Sequence, residues 1–236
     1  MALKDELCYL PSFDRVDAIS ALGNSKPPGW QITAFNIPSI WQYSKGEGVK
    51  IAVLDSGADL THPDLKYNLL PGINLVTANY PPYDDNCHGS HVSGIIAGTD
   101  SGNGVVGISP RAKVMPVKVL NGAGAGTMDK VVACIRWAID NGADIISMSL
   151  GTRNPLEEVR LAIVEAAAKG IVTFCAGGNA GSTKQLLYPA AYSETISIGA
   201  IDENSIRANF SCTGPNLDFV APGVNIYSTV PPSWYA

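Results

Sequence analysis

Gly48-Val-Lys-Ile-Ala-Val-Leu-Asp-Ser-Gly-Ala58 is the stretch from which the fold can be read. Residues 49–54 form a short run that is apolar except for Lys50. It is bounded by Gly48 and by Ser56-Gly57, the pattern of a strand covered on both faces. A carboxylate, Asp55, closes it. Outward from this strand, apolar runs and helical periodicities alternate. Residues 114–120, 145–150, 171–175, 195–199 and 217–220 read as further strands. Residues 91–97, 127–141 and 155–169 read as helices. The second carries Val131, Cys134, Ile135, Ala138 and Ile139 at helical spacing, and the third has Pro155 near its first turn and Gly170 at its end. A short helix starts at Ile37-Pro38-Ser39 and runs through Trp41 and Tyr43. Strand–helix alternation with short connections predicts an α/β fold, a parallel β-sheet flanked by helices on both faces. Such sheets place their sites at the carboxyl ends of strands. Asp55, Ser149 and Asn179 all fall at or just beyond predicted strand ends.

The 236 residues suit one such domain, and 46% hydrophobic with 16% charged residues argues against disorder. Residues 1–30 differ from the rest. They hold Leu10-Pro11-Ser12-Phe13 and a Lys26-Pro27-Pro28-Gly29 breaker, and read as an N-terminal extension and linker ahead of a main domain at 31–236. A net charge of −5 gives no electrostatic reason to expect nucleic acid or an anionic membrane as partner. No run approaches the ~20 apolar residues of a membrane span. Lys4, Asp5, Glu6, Asp14 and Arg15 interrupt the apolar block that a secretory signal needs, so a cytoplasmic location is expected. The five cysteines, odd in number and irregularly spaced, suggest a reduced state without disulfides, with Cys134 and Cys175 in the core.

Three short motifs carry chemistry. Asp55 lies in Asp-Ser-Gly, His88 opens His-Gly-Ser-His-Val-Ser-Gly94, and Asn179 lies in Cys175-Ala-Gly-Gly-Asn-Ala-Gly181. Each has a plainer reading: a turn former, a satisfied loop histidine, a turn-tolerant amide. Together they supply a base orienter, a base and an oxyanion donor, which acyl transfer from a serine requires. A metal reading of Cys87-His88-x-x-His91 is disfavoured. Adjacent residues rarely reach one ion and no fourth ligand is evident. His91 is expected to be a buried, hydrogen-bonded helix residue. Gly122-Ala-Gly-Ala-Gly126 approaches a dinucleotide loop, yet Thr127 stands where the third glycine belongs, which disfavours an oxidoreductase. A Gly-rich edge can instead accept a peptide as an added strand.

In combination these motifs resemble the subtilisin-type serine proteases over residues 36–236. Asp-Ser-Gly at 55–57, His-Gly-Ser-His-Val at 88–92, Met-Ser-Leu-Gly at 148–151, Gly-Asn-Ala-Gly at 178–181 and Ala221-Pro-Gly-Val224 occur in that family's order. The resemblance implies a serine endopeptidase acting on polypeptides, with Asp55 as orienter, His88 as general base and Asn179 as oxyanion donor. It implies that Gly124, Ala125 and Gly126, with Ser149, Leu150 and Gly151, pair with an extended substrate. Ala176, Gly177 and Gly178 would wall the pocket for the residue before the scissile bond. Leu187 would fill part of its floor and favour smaller side chains. Structural Ca²⁺ is implied too, held by Asp64 and by Thr99, Ser101, Asn103 and Val105, with Asp100 a further candidate; no organic cofactor is implied.

The family's nucleophile lies in Gly-Thr-Ser-Met-Ala, expected a few residues past Ala236. The 236-residue chain is therefore expected to be inactive, and only marginally folded without the helix that follows. The extension is similar to that of the intracellular subtilisins, which implies that it blocks the cleft as a cis inhibitor of a zymogen. The competing reading is a catalytically inactive peptide-binding pseudoprotease, although pure binding needs neither Asp55, His88 nor Asn179.

Overall fold

The computed structural model describes residues 3–11, 29–101, 104–181 and 185–231. A 3-10 turn, Leu3–Asp5, precedes strand β1 (Leu7–Tyr9). Two short helices follow, α1 (Trp30–Ala34) and α2 (Ile37–Ile40). The main sheet then builds through β2 (Lys50–Asp55), β3 (Ile73–Asn74), helix α3 (His88–Ala97) and β4 (Lys113–Lys118). The short strand β5 (Ala125–Thr127) leads into helix α4 (Met128–Asp140). Then come β6 (Ile145–Met148), helix α5 (Glu157–Ala168), β7 (Val172–Ala176), β8 (Ile196–Ile201) and β9 (Phe219–Pro222). Seven strands lie in the order β3-β4-β2-β6-β7-β8-β9, and every pair is parallel.

β2 sits inside this sheet, between β4 and β6. Its side chains alternate with the strand period of two. Ala52 and Leu54 join the larger core, with Val131, Ile135 and Ala138 of α4 and Ile163 and Ala166 of α5. Ile51 and Val53 join the smaller core, against Val92, Ile96 and Ala97 of α3. The sheet is thus covered on both faces, the three-layer arrangement expected from the alternation of elements. Asp55 continues the series of Ile51 and Val53, so the pleat delivers it to the face carried by α3.

Boundaries shift by one to three residues from the sequence expectation, with two instructive cases. The helix expected over 91–97 begins at His88, because side-chain oxygens of Asn86, Ser56 and Asp84 accept the N–H groups of His88, Gly89 and Ser90 in turn. The helix expected over 155–169 begins at Glu157. Pro155 lies just ahead of it, while Glu157 and Glu158 place negative charge at the positive end of the helix. Gly170, at φ +80°, supplies the left-handed turn that ends this region. Four elements, α1, β1, β3 and β5, were not anticipated. Each has two to five residues, too few for periodicity to register.

The cysteine reading is mirrored in the packing: all five are buried, and Cys8, Cys134 and Cys175 are thiols in the core. Residue 30, the last of the predicted extension, opens α1, and Trp30 donates its indole N–H to Val224 O at 2.9 Å. Most of the Lys26-to-Gly29 breaker, together with Ser12 and Phe13, lies outside the described residues. Among the described residues no helix is long and apolar enough to cross a membrane.

Candidate active site

Asp55 ends β2 and His88 is the first residue of α3. His88 Nδ1 lies 2.9 Å from each carboxylate oxygen of Asp55. A carboxylate only accepts, so Nδ1 carries the proton and donates it. This fixes the tautomer and leaves Nε2 as the basic nitrogen. Asp55 is 1% exposed, and the Ser56 N–H also donates to its Oδ1 at 2.7 Å. Burial disfavours the charged imidazole, but the charge of Asp55, its hydrogen bond and the more distant Asp84 outweigh that. The pKa of His88 is raised above 6.5. His62 and His91 shift the other way, because burial dominates. His91 is a half-buried helix residue whose Nε2 pairs with Ile226 O at 3.1 Å.

What brings the pair together is Asp84. Its Oδ1 accepts from Ser56 Oγ at 2.8 Å and from the Asn86 and Cys87 amides at 2.9 and 3.0 Å. Its Oδ2 accepts from Ser90 N at 2.8 Å and Ser90 Oγ at 2.6 Å. Ser56 Oγ in turn accepts the Gly89 amide at 2.9 Å. One carboxylate thereby caps the start of α3 and ties it to the turn after β2, where helix N–H groups lack internal partners. Gly89 has no side chain to spare: a Cβ there would run into the backbone carbonyl of Gly57. Sequence reading missed Asp84. The available signal was an Asp-Asp-Asn run just ahead of a helix start. Lys118, level with Asp55 on β4, was also unforeseen. It is buried, and its Nζ donates to Ser56 O at 2.5 Å and to Asp85 Oδ1 at 2.6 Å.

Asn179 follows β7 in a loop shaped by Gly178 at φ +109°. Cys212 N donates to Gly178 O at 2.9 Å, and Gly181 N to Phe210 O at 2.7 Å. Only β6 separates β7 from β2. Parallel strands at about 4.8 Å spacing put Asp55 and Asn179 on the same sheet edge, roughly 10 Å apart in strand count. Ser149, Leu150 and Gly151 leave β6 beside Ala176, Gly177 and Gly178 leaving β7. Leu187 sits between them. A Cβ on Gly151 would lie 2.8 Å from Leu187 Cβ, and one on Gly178 would lie 2.9 Å from Leu187 Cγ.

The edge formed by Gly124, Ala125 and Gly126 is occupied by the chain's own N-terminal segment. β1 pairs antiparallel with β5, with Leu7 opposite Thr127, Cys8 opposite Gly126 and Tyr9 opposite Ala125. On its other side, Tyr9 exchanges backbone hydrogen bonds with Gly151, N to O at 3.2 Å and O to N at 3.1 Å. Leu10 N donates to Gly124 O at 2.9 Å. The segment is thus the middle strand between the two stretches expected to pair with a peptide.

In the candidate cation loop Asp64 is engaged by groups of the protein itself. Asp64 accepts from Val105 N at 3.1 Å and Ser101 Oγ at 3.4 Å. Thr99 N donates to Asp64 O at 2.8 Å, and the buried Thr99 Oγ1 has no hydrogen-bond partner among the described residues. Asn103 lies outside the described residues. Asp100 is not part of the set, because it turns away to Lys45 Nζ at 2.6 Å. Among the described residues no group of three or more His, Cys, Asp or Glu is placed to hold a metal ion, the Cys87–His91 stretch included.

Residues 46–234 match the subtilase family of peptidases. The chain belongs to this family. It is 42% identical over 221 residues to an intracellular serine protease of Paenibacillus polymyxa, covering 90% of this chain and 67% of the relative. Subtilisin DY of Bacillus licheniformis is 41% identical over 194 residues, 81% of this chain and 70% of the relative. An alkaline protease of Alkalihalobacillus alcalophilus is 38% identical over 219 residues, 92% of this chain and only 56% of the relative. This subtilase chain therefore spans between about half and 70% of these relatives.

Two predictions concern the Asp55–His88 pair. In a proton NMR titration of the three histidines, one resonance, that of His88, should have its midpoint above 6.5 and two below. Asp55→Asn should lower the His88 midpoint, because the charge of Asp55 and its charge-assisted hydrogen bond are lost while burial and the more distant Asp84 remain; an unmoved midpoint would contradict the assigned cause. Gly89→Ala should cost about 1–3 kcal/mol in urea unfolding, as expected for overpacking against rigid backbone.

Proposed function

We propose that this subtilase chain is the larger part of a serine endopeptidase whose nucleophile follows Ala236. The observation that carries the reading is the Asp55–His88 pair at the carboxyl end of β2, the same end of the sheet from which Gly151 leaves β6 to pair with Tyr9 of the N-terminal strand. In the proposed mechanism His88 Nε2 takes the proton of the serine hydroxyl as it attacks the scissile carbonyl, then returns it to the leaving amine. Asp55 holds Nδ1–H and stabilises the imidazolium. The Asn179 side-chain amide donates to the developing oxyanion; loss of such a donor in a subtilisin costs about 10²–10³ in kcat. The raised pKa of His88 gives the sign of the pH dependence. Neutral base accumulates as pH rises through that value, so kcat/KM should climb along an acid limb centred above 6.5. Leu187, between Gly151 and Gly178, supports a preference for smaller side chains before the scissile bond; faster cleavage after Phe or Tyr in a chromogenic panel would oppose it.

The extension is assigned the role of cis inhibitor. Leu7–Tyr9 fills the groove that a substrate strand needs, and Pro11, just past Leu10, brings no N–H and a fixed φ. The same occupancy favours the second reading, a pseudoprotease that only binds peptides. A cytoplasmic location is proposed by analogy with the relative named as intracellular. A fluorophosphonate probe separates the two readings on the protein carried through the family's nucleophile segment. Labelling that rises when residues 1–25 are deleted is expected; absence of labelling in both forms would favour the binding protein, and labelling unaffected by the deletion would reject inhibition.

The proposal includes one structural Ca²⁺ at Asp64, with the Thr99 and Ser101 hydroxyls and carbonyls of the 99–105 loop as further donors. A lone carboxylate with neutral oxygens suits a weak extracellular-type affinity better than a tight site. Thermal unfolding followed against added Ca²⁺ should show the midpoint rise over the ~0.1–1 mM range; a midpoint indifferent to both Ca²⁺ and chelator would remove calcium from the proposal.

A further inference from the structure

Glu6 stands one residue ahead of β1 and is only 6% exposed. Its Oε1 accepts from Thr152 Oγ1 at 2.5 Å and from Asn154 Nδ2 at 3.0 Å. Its backbone carbonyl accepts the Met128 amide at 3.1 Å. Thr152 is held from behind: its N and O each bond Tyr188 at 2.9 Å. The Asn154 amide approaches Thr152 Oγ1 at 3.5 Å, so that oxygen accepts from one side while its proton is directed at the carboxylate. A buried carboxylate is tolerated only where donors meet it. Here two donors converge from the main domain, and both belong to a segment anchored to the pocket that holds Leu187.

The occupant matters because of its register. Along residues 6–10 the burial alternates. Glu6 and Cys8 are buried and Leu10 is half-buried, while Leu7 and Tyr9 are 45% and 50% exposed. The groove therefore reads every second side chain of whatever strand lies in it. Cys8 Sγ is set near Gly126, and Leu10 lies against Gly124. Glu6 is the next inward position. Any peptide that takes the same backbone bonds to Gly151 and Gly124 delivers a side chain to Thr152 and Asn154.

We propose that Thr152 and Asn154 form a specificity pocket for an acidic side chain, carried three residues N-terminal to the peptide residue whose backbone pairs with Gly151. The substrate class is an extended peptide with a glutamate at that position. The substrate part of this proposal rests on the endopeptidase reading; the pocket itself does not. Since both donors are neutral, the pocket ranks occupants by acceptor strength. Glutamate comes first, glutamine next because it keeps an oxygen without the charge, alanine after that, and lysine last because it brings only donors.

Amide exchange in the full chain tests the pocket. In the native background, Glu6→Gln should speed exchange of the Tyr9 and Leu10 amides about threefold and Glu6→Ala about tenfold. In a Thr152→Val/Asn154→Ala background the three occupants should exchange alike, within about twofold. Asn154→Ala alone alters an exposed residue and should compress the same differences without risk to folding. Equal exchange before and after Glu6→Ala in the native pocket would overturn the proposal, as would differences that persist in the pocket variants. In the protein carried through its nucleophile, kcat/KM for peptides with Glu at this position should exceed that for Lys by about tenfold, and Asn154→Ala should reduce the ratio. Inertness toward every peptide would defeat the endopeptidase reading while leaving the exchange result to decide the pocket. Hydrolysis without a Glu preference would defeat the pocket's role in substrate choice.

Discussion

The carboxylate of Asp84 is the constraint on which the site depends. Five donors converge on its two oxygens, from the turn after β2 and from the start of α3. A helix start leaves N–H groups without partners, and a loop carboxylate placed there satisfies them and complements the local dipole. The consequence is geometric. With Ser56 and Ser90 held by one side chain, and Gly89 pressed against Gly57, His88 has little choice but to face Asp55. The dyad is then less a meeting of two flexible side chains than the by-product of a helix docked against a strand end. Its proton affinity follows: burial acts against the charged ring, and the nearby carboxylates overcome it.

The second organising element is the parallel sheet. Because all seven strands run one way, their carboxyl ends share an edge, and the loops after β2, β6 and β7 open toward one place. The pleat of β2 decides which face receives Asp55. The loops after β6 and β7 run side by side and close around Leu187. The peptide groove is built differently, from a short edge at Ala125–Thr127 and from Gly151, and the chain's own residues 7–9 bridge the two. Asp55 and the loop of Asn179 thus hang from the sheet and His88 from the helix packed on it, whereas the groove that holds residues 7–9 lies along the flank.

Much of this was legible in the sequence, for stated reasons. An apolar run closed by Asp55, and a histidine opening a small-residue helix, are local patterns with strong physical signatures. The glycine-rich stretch at 122–126 was readable as a peptide edge because glycine leaves backbone accessible. Asp84 was readable at most as a cap, from the Asp-Asp-Asn run ahead of a helix start; its bonds to Ser56 and Ser90 are reported by no periodicity. β1 was hidden by its length, and the Glu6 contacts span 146 and 148 positions of chain. Asp100 illustrates the converse. Its place in an oxygen-rich loop suggested a cation, but Lys45 lay within reach and took it.

Cys8 carries a consequence of its own. Seated beside Gly126 with no exposure, its thiol is held by burial at a pKa of about 12. Near neutral pH such a thiol stays protonated, and only the ionised form reacts readily. Out in solvent the same sulfur would behave as an ordinary cysteine. Chemical silence at this position is therefore a property of the seated strand, not of the residue. An adduct acquired during an excursion would find no space beside Gly126 on return, so a reversible fluctuation of the N-terminal segment would become a ratchet that turns one way.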